Sequence, residues 1–593
     1  MKRALRVALP LALIIAPPVI EFLYICRFSV DVPWWDEWAF VELLQSWSQG
    51  DAGRVVTLLW AQHNEHRPLF PRLILLALAK LAGWDIRVEM YFGLLLSILL
   101  LVVIGLVYKK TVGGPLWGFI PLAWLVFSLG QWENILWGWQ LALYLQALAT
   151  VCALYFLSAR SLRSTGLAAL CAIVASFSFS SGLLTWPVGL LCLLAQRADR
   201  KRLVLWSLTG VLTIVAYFVG YASPGHHPSP LTALSRPLET IAFFLINVGA
   251  PLGGGSLLFS GVMGGCLLLL LLIYLYHRLR GTGSSDRRLS DAEILLGGMV
   301  IVSLLTSTVI AVSRVGFGYL DWAMNSRYIT FTFIGIAGAY MLFATHRPIV
   351  SAHADGIPQL PGFSLLSALM AIMLVGLAAS DVYGLKQGQT LHASRLRAQY
   401  ILQTFETQPD EALTALFIDP AAVRERAQFL QEQRLSAFRE PPALLLLIRL
   451  GDNTAVGEIL PDRPIIQAFR CPVQTLYDVG IFFATNARVN TATVEISLAD
   501  DNGPLVQQTL SAADIADNSW VRFTLPTPLE DCAGRELVLT IASPDASPGN
   551  AVTVWTYPRY YDGNLLSPAE ASLANRVVGM ELNASFYGLS HIR

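Results

Sequence analysis

Two adjacent carboxylates set among tryptophans, in Pro33-Trp34-Trp35-Asp36-Glu37-Trp38, are the residues of this sequence best suited to moving a proton. A carboxylate beside an acceptor hydroxyl can act as general base, taking the proton as the oxygen attacks an electrophilic carbon. Asp36 is assigned that role, with Glu37 beside it in the catalytic stretch to bind, cap or hold a metal. Neighbours on a helix diverge by about 100°, so the two do not form the matched pair of a glycoside hydrolase. The plainer alternative is capping, because acidic residues favour a first helical turn and 39–47 reads as an amphipathic helix. Trp34, Trp35 and Trp38 suit stacking on a sugar ring, or an interfacial belt.

A second cluster, His63-Asn64-Glu65-His66-Arg67, supplies donors and acceptors in one short run. Asn64, Glu65, His66 and Arg67 are assigned to substrate binding, orienting a sugar or a phosphate; a hydrogen-bonded network that stiffens the loop is the alternative. His63 and His66, with Asp36, could take a divalent metal, but the spacing is not His-Glu-x-x-His, and no metal is assigned. Arg314 and Arg327 bracket one short loop between two apolar runs. Arginine binds phosphate oxygens bidentately, so both are assigned to a phosphate, against the alternative of simple snorkelling. His226-His227 is a weaker polar candidate, and Gly253-Gly254-Gly255 lacks the context of a phosphate loop.

The elements that must position these groups are mostly apolar. The chain has 593 residues, 54% hydrophobic and 14% charged, with mean hydropathy +0.55. Soluble domains carry about 25% charged residues, so a polytopic α-helical membrane protein is expected. The net charge of zero gives no pointer to nucleic acid. Candidate spans are 7–26, 88–108, 114–130, 139–158, 165–181, 186–196, 203–220, 257–278, 292–312, 328–345 and 363–380, about eleven in all. The first is read as a retained helix, not a cleaved signal peptide, because no small-residue cleavage site follows it. With the N-terminus cytoplasmic, every basic cluster falls inside, Lys109-Lys110 and 197–202 among them. The stretches 69–82 and 238–250 are then helices at the outer surface. All the polar candidates share the outer face, and the span interiors read as nearly free of charge, which speaks against a transporter.

Beyond the last span, 385–460 reads as a helical stalk or linker, and 461–593 as a periplasmic or extracellular β-sandwich, jelly-roll-like. Its short alternating runs are 465–469, 481–484, 493–498, 521–525, 537–541 and 552–555. Cys471 and Cys532 could pair there in an oxidising compartment, while the other five cysteines lie in or at apolar segments. Trp555, Tyr557, Tyr560 and Tyr561 could stack on sugars, although a sandwich core also needs aromatics.

This layout resembles the GT-C class of membrane glycosyltransferases. The matching residues are Trp35-Asp36-Glu37-Trp38 after the first span, the stretch 39–63, Asn64 to Arg67 with Phe70-Pro71-Arg72, and Ser326-Arg327-Tyr328. It is most similar to an uncharacterised bacterial branch. The resemblance implies a catalytic membrane domain over 1–384, with 27–87 as the first outer loop, and Asp36 at the catalytic aspartate's position. It adds Tyr328 to the substrate-binding residues. It implies transfer of a sugar, with inversion, from a polyprenyl-phosphate donor to a glycan or glycolipid acceptor at the outer face of the bacterial inner membrane. No cofactor is required by this reading, although a divalent metal is possible, with Asp321 the nearest second acidic candidate. The sandwich would bind or orient the acceptor. A lipid-linked glycan ligase or polymerase is the competing enzyme reading, and a lipid or glycan transporter the competing class.

Overall fold

A computed structural model describes residues 2–225, 228–280, 288–345, 365–403, 405–406, 410–439, 445–447, 454–471, 475–529, 531–532, 534–558, 563–565, 576–578 and 580–585. His226, His227, Tyr560 and Tyr561 lie outside them. The chain divides into two compact units. The first comprises Met1–Ser29, Leu43–Ala82 and Ile86–Gln389; the second comprises Val30–Glu42, Gly83–Asp85 and Thr390–Arg593.

The helices in chain order are α1 (Lys2–Phe28), α2 (Trp38–Ser48), α3 (Ala52–Trp60), α4 (Leu69–Ala82) and α5 (Ile86–Thr111). There follow α6 (Ile120–Val126), α7 (Trp132–Ile135), α8 (Leu141–Leu157), α9 (Leu162–Ser176), α10 (Thr185–Ala195) and α11 (Arg200–Phe218). Then come α12 (Thr232–Ser235), α13 (Pro237–Gly249), α14 (Leu257–Arg280), α15 (Asp291–Arg314) and α16 (Ser326–Thr345). The last are α17 (Leu365–Gln403), α18 (Asp410–Leu413) and α19 (Pro420–Glu432). Eight helical stretches among the described residues are long and apolar enough to cross a membrane: Val7–Phe28, Ile86–Thr111, Gly138–Leu157, Arg200–Phe218, Leu257–Arg278, Asp291–Phe317, Ser326–Thr345 and Leu366–His392.

The difference from the expected eleven lies in three places. Helices α9 and α10, where 165–181 and 186–196 were expected to span, are shorter apolar helices. They pack with α11 through Trp186 and Trp206, whose rings lie 4.6 Å apart; each indole N–H has an acceptor, Ser176 Oγ and Trp186 O respectively. The third, 114–130, is no single helix. Pro115 precedes a 3-10 turn, Pro121 sits in the first turn of the seven-residue α6, and a further 3-10 turn covers Leu129–Gln131. Proline fits only the first turn of a helix without losing a hydrogen bond, so the run starts afresh there. Asp381 of α17 then accepts from Ser128 Oγ and Leu129 N–H, both at 2.8 Å, fixing the break.

Proline is handled differently in α1, which continues through Pro10, Pro17 and Pro18. Pro17 offers no N–H to the Leu13 carbonyl, and the Trp124 indole donates to that carbonyl instead, at 3.1 Å. Close helix contact between α13 and α14 depends on Gly249 and Gly264, where a Cβ would run into Ser260 O and Leu245 O. So 238–250 packs against its neighbouring helix, with Phe243, Ile246 and Asn247 buried. The expectation of charge-free interiors needs correcting. Glu21 of α1 and Glu89 of α5 are buried, and Asp381 holds the α17 contact described above. The bundle therefore gives no ground of that kind for setting transport aside.

The second unit holds the strands β1 (Leu445–Leu447), β2 (Thr454–Ala455), β3 (Ile465–Arg470), β4 (Thr475–Ala484), β5 (Thr493–Asp500) and β6 (Gly503–Ser511). The others are β7 (Ser519–Leu529), β8 (Glu536–Ala542), β9 (Thr553–Pro558), β10 (Gly563–Leu565), β11 (Arg576–Val578) and β12 (Met580–Ser585). One sheet runs β1-β12-β4-β9-β11, with β2 on β9 and β7 on β4; the other runs β10-β3-β8-β5-β6. Alternate residues face inward, among them Val479, Ile481 and Phe483 of β4 and Leu537, Leu539 and Ile541 of β8, all fully buried. Cys471 and Cys532 form a disulfide. The stretch 385–460 is not helical throughout: β1 and β2 belong to the sheets, while α17 continues unbroken from the apolar stretch to Gln403.

Candidate functional site

The Asp36 stretch belongs to the second unit. Trp35–Glu37 form a 3-10 turn ahead of α2. Glu37 is 1% exposed, and its Oε2 accepts the Trp34 N–H at 2.8 Å, so it serves the turn it ends. Of the roles open to Glu37, capping is the one its carboxylate performs. Trp38 is corrected, because its ring is fully buried in the core and has no face for a sugar. Trp35 is different. It is 48% exposed and its backbone sits at φ 45°, a left-handed conformation that is costly for a bulky residue and tends to mark functional turns. Asp36, half-buried, follows it directly.

Several elements over-determine this turn. The Trp35 N–H donates to Leu416 O at 3.3 Å, and Arg426 Nη1 donates to Trp38 O at 2.7 Å. The Arg395 guanidinium lies 3.9 Å from the centre of the Trp34 ring, a cation–π contact. Just upstream, Asp31 accepts from Ser436 Oγ at 3.0 Å, and Arg439 bonds Asp85 at 2.6 Å with Asp31 at 3.8 Å. None of these partners, about 400 residues along the chain, was singled out from the sequence.

The second cluster belongs to the first unit. His63 and His66 exchange backbone hydrogen bonds at 2.8 Å in both directions, closing a tight turn over Asn64 and Glu65. Asn64 takes φ 49°, which asparagine tolerates better than most residues. The turn presents the Glu65 carboxylate to Arg314, with which it forms an ion pair, and to His66 Nε2 at 3.8 Å. Arg314 also hydrogen-bonds Tyr328. His66 lies flat on Phe179 with centroids 3.7 Å apart, and its Nδ1 accepts the Ser180 N–H at 3.2 Å. That bond assigns the neutral ring's proton to Nε2, facing Glu65. Glu65, His66, Arg314 and Tyr328 therefore make one network.

Arg67 does something else. It is 4% exposed, and it donates to Tyr217 O and Val219 O at 2.6 Å each and to Trp60 O at 3.0 Å. These carbonyls end α11 and α3, where the last turn lacks intrahelical donors. Arg67 thus caps two helices, and its assignment to substrate is corrected. Arg72 repeats the device on Leu58 O and Ala61 O, and burial pushes its guanidinium down to about 10. Tyr217 donates from its hydroxyl to Glu65 O at 2.7 Å, tying the turn to α11; nothing in its apolar run singled it out. Burial and the nearby Glu65 raise the Tyr221 phenol above its ordinary value.

Arg327, in the first turn of α16, lies 3.6 Å from Glu133 Oε1 and 5.7 Å from the centre of the Trp137 ring, with its side chain 41% exposed. Its Nε donates to Asn325 Oδ1 at 3.1 Å. Both arginines expected to await a phosphate are therefore already beside carboxylates. Among the described residues, no three His, Cys, Asp or Glu side chains are grouped to hold a metal ion.

No protein-family model matches the chain. An uncharacterized protein of Archaeoglobus fulgidus is 27% identical over 156 residues, which is 25% of this chain and 39% of that protein. A cryo-EM structure of the arabinosyltransferase EmbB from Mycobacterium smegmatis aligns with 93% of this chain and 64% of its own, at 12% identity and a TM-score of 0.32. The chain thus spans less than two thirds of either protein's length.

Proposed function

We propose that the chain is a multi-pass membrane glycosyltransferase that moves a sugar from a polyprenyl-phosphate donor to a hydroxyl of a glycan or glycolipid acceptor. The observation that carries the reading is the Trp35-Asp36-Glu37 turn. There Glu37 caps the turn, and Asp36, half-buried, directly follows an exposed indole on a strained backbone. A carboxylate next to an aromatic face suits a polar, ring-shaped substrate whose hydroxyl must lose a proton.

In the proposed step Asp36 accepts the acceptor's hydroxyl proton while that oxygen bonds to the anomeric carbon. The carbon–oxygen bond to phosphate breaks on the opposite face, its electron pair leaves on polyprenyl phosphate, and the sugar carbon inverts. Arg314 and Arg327 receive the charge that develops on the leaving phosphate. Glu65 and Glu133 hold the two guanidinium groups in place before the donor arrives. Arg327, the more exposed and the more loosely paired, is the first contact.

The test uses purified full-length protein in liposomes with polyprenyl-phosphate sugars labelled in the sugar. The reading expects free polyprenyl phosphate and labelled acceptor in equal amounts. Labelled donor that crosses the bilayer intact, without phosphate release, would replace the reading with transport.

A further inference from the structure

Four helix ends of the first unit meet at one buried arginine. Arg202, in the first turn of α11 and 2% exposed, donates to Leu157 O and Thr165 Oγ1 at 2.9 Å each and to Gln196 Oε1 at 3.2 Å. These acceptors belong to the last residue of α8, the start of α9 and the C-cap of α10. None of them is a carboxylate. The guanidinium therefore gathers the residues that flank its partners. Arg160 and Arg163 lie between Leu157 and Thr165, Arg197 follows Gln196, and Arg200 and Lys201 come just before Arg202 itself. Against these six cations stand two carboxylates. Asp199 is taken up as the N-cap of α11, accepting the Lys201 and Arg202 N–H groups at 3.0 and 3.1 Å, and Asp291 pairs with Arg160 at 2.6 Å. Arg163, Arg197 and Arg200 are exposed and have no carboxylate partner among the described residues.

Arg197 carries a second, independent sign. Helix α10 stops with the Ala198 N–H on Leu193 O at 2.9 Å and the Arg197 N–H on Leu194 O at 3.0 Å. Those are the paired bonds of a Schellman motif, whose left-handed residue is most often glycine. Arg197 fills that place at φ 53°, where a Cβ is costly. Its side chain is exposed, so packing does not account for an arginine there, whereas its charge does. Next to the charges the helices are apolar on their outer faces. Arg200, Val204 and Leu208 succeed one another at i, i+4 and i+8 along α11, and Leu191 and Leu194 precede Arg197 on α10; all four apolar side chains are exposed.

We infer that this end of the α8–α11 bundle seats the headgroup of an anionic phospholipid, its phosphate oxygens on Arg163, Arg197 and Arg200 and its acyl chains along the exposed leucines. A guanidinium fork matches a phosphate diester bidentately. A zwitterionic headgroup brings an ammonium into a surplus of positive charge, which an anionic headgroup avoids. The apolar strip beside the arginines favours a lipid over a soluble anion. The general excess of basic residues at one membrane face needs charges only somewhere on that face. It explains neither their convergence on one buried guanidinium nor an arginine in the glycine position of a helix stop.

The test takes the full-length protein, delipidated in a nonionic detergent, and titrates it with phosphatidylglycerol, phosphatidylethanolamine or inorganic phosphate, reading bound ligand by native mass spectrometry. Phosphatidylglycerol is expected to bind the most tightly of the three. Arg163→Gln, Arg197→Gly and Arg200→Gln should each weaken it about 5-fold, and the triple variant about 100-fold. Arg202 stays in place in all of them, so the helix ends remain tied. Arg54→Gln removes a charge on α3 and should leave binding unchanged. Arg197→Gly also relieves the left-handed turn, so its apparent Tm without lipid should rise while its affinity falls; a lower Tm with unchanged affinity would make Arg197 a structural residue and overturn the assignment. Equal binding of the two lipids by wild type, equal phosphatidylglycerol binding by wild type and the triple variant, or inorganic phosphate bound as tightly as lipid, each overturns the seat. The measurement involves no transfer reaction, so its outcome is independent of the glycosyltransferase reading.

Discussion

The Glu65–Arg314 pair is the part of the account most open to a quantitative mutational test. The side chains are 22% and 16% exposed, so the pair lies between an exposed bridge, worth about 0–1 kcal/mol, and a buried one, whose disruption costs about 3–5 kcal/mol. Glu65→Gln keeps the shape and removes the charge that faces Arg314. We expect a loss of about 2 kcal/mol, seen as a lower apparent Tm of the full chain in detergent. Arg314→Gln should cost a similar amount. The double variant should cost less than the sum, with a coupling of about 1.5 kcal/mol. Unfolding of such a chain is often irreversible, so all four proteins are compared at one scan rate. Additive single losses, with no coupling, would refute the claim that the turn over Asn64 and Glu65 exists to hold this arginine.

Arg67→Ala strips three donors from helix-end carbonyls, the Tyr217 bond buried and the other two part-buried, and should destabilise by about 3 kcal/mol in the same melt. Arg67→Lys should rescue little, since one ammonium cannot reach all three carbonyls at the angles of the guanidinium fork; full rescue would show that charge alone matters. The sheets should lose stability in acid. The Arg488 guanidinium and the Gly549 N–H hold Glu458 below its ordinary value, and backbone N–H bonds from Thr485 and Thr493 do the same for Asp517 and Asp545. A depressed folded value stabilises above the unfolded value, near 4, and that contribution disappears as pH falls through the folded one. The melt of this region should therefore fall between about pH 5 and pH 2, and more gently in Asp517→Asn with Asp545→Asn. An unchanged slope in that double variant would count against the assignment.

How far the sequence revealed this structure depends on the range of the interaction involved. Apolar runs announce themselves locally, and each of the eight long helices among the described residues overlaps one of the expected spans. The six alternating runs seen in the C-terminal part likewise became β3, β4, β5, β7, β8 and β9. By contrast, 114–130 has span-like composition but starts afresh at Pro121. What stabilises its break is Asp381, 253 residues away from Ser128. The strand β6 was missed because Gln507-Gln508 interrupts the apolar alternation and it begins at Gly503-Pro504. At the candidate site, residue type singled out Glu65, His66 and Arg314, and the resemblance Tyr328, but neither gave the pairing of Glu65 with Arg314. Capping was among the roles open to Glu37 from its place before a helix. Residue type could not reveal that Arg67 caps helices, a duty that depends on backbone carbonyls, which every residue carries and no pattern marks. Trp38 shows the same limit, since an indole reads alike whether it meets a ligand or the core.

The central claim is that Asp36 is the base. Asp36→Asn keeps the size and the turn, and Glu37 still caps it. We predict that the variant folds and binds donor like wild type, and that sugar transfer from polyprenyl phosphate falls about 10²- to 10⁴-fold. Transfer at the wild-type rate by Asp36→Asn would contradict the account.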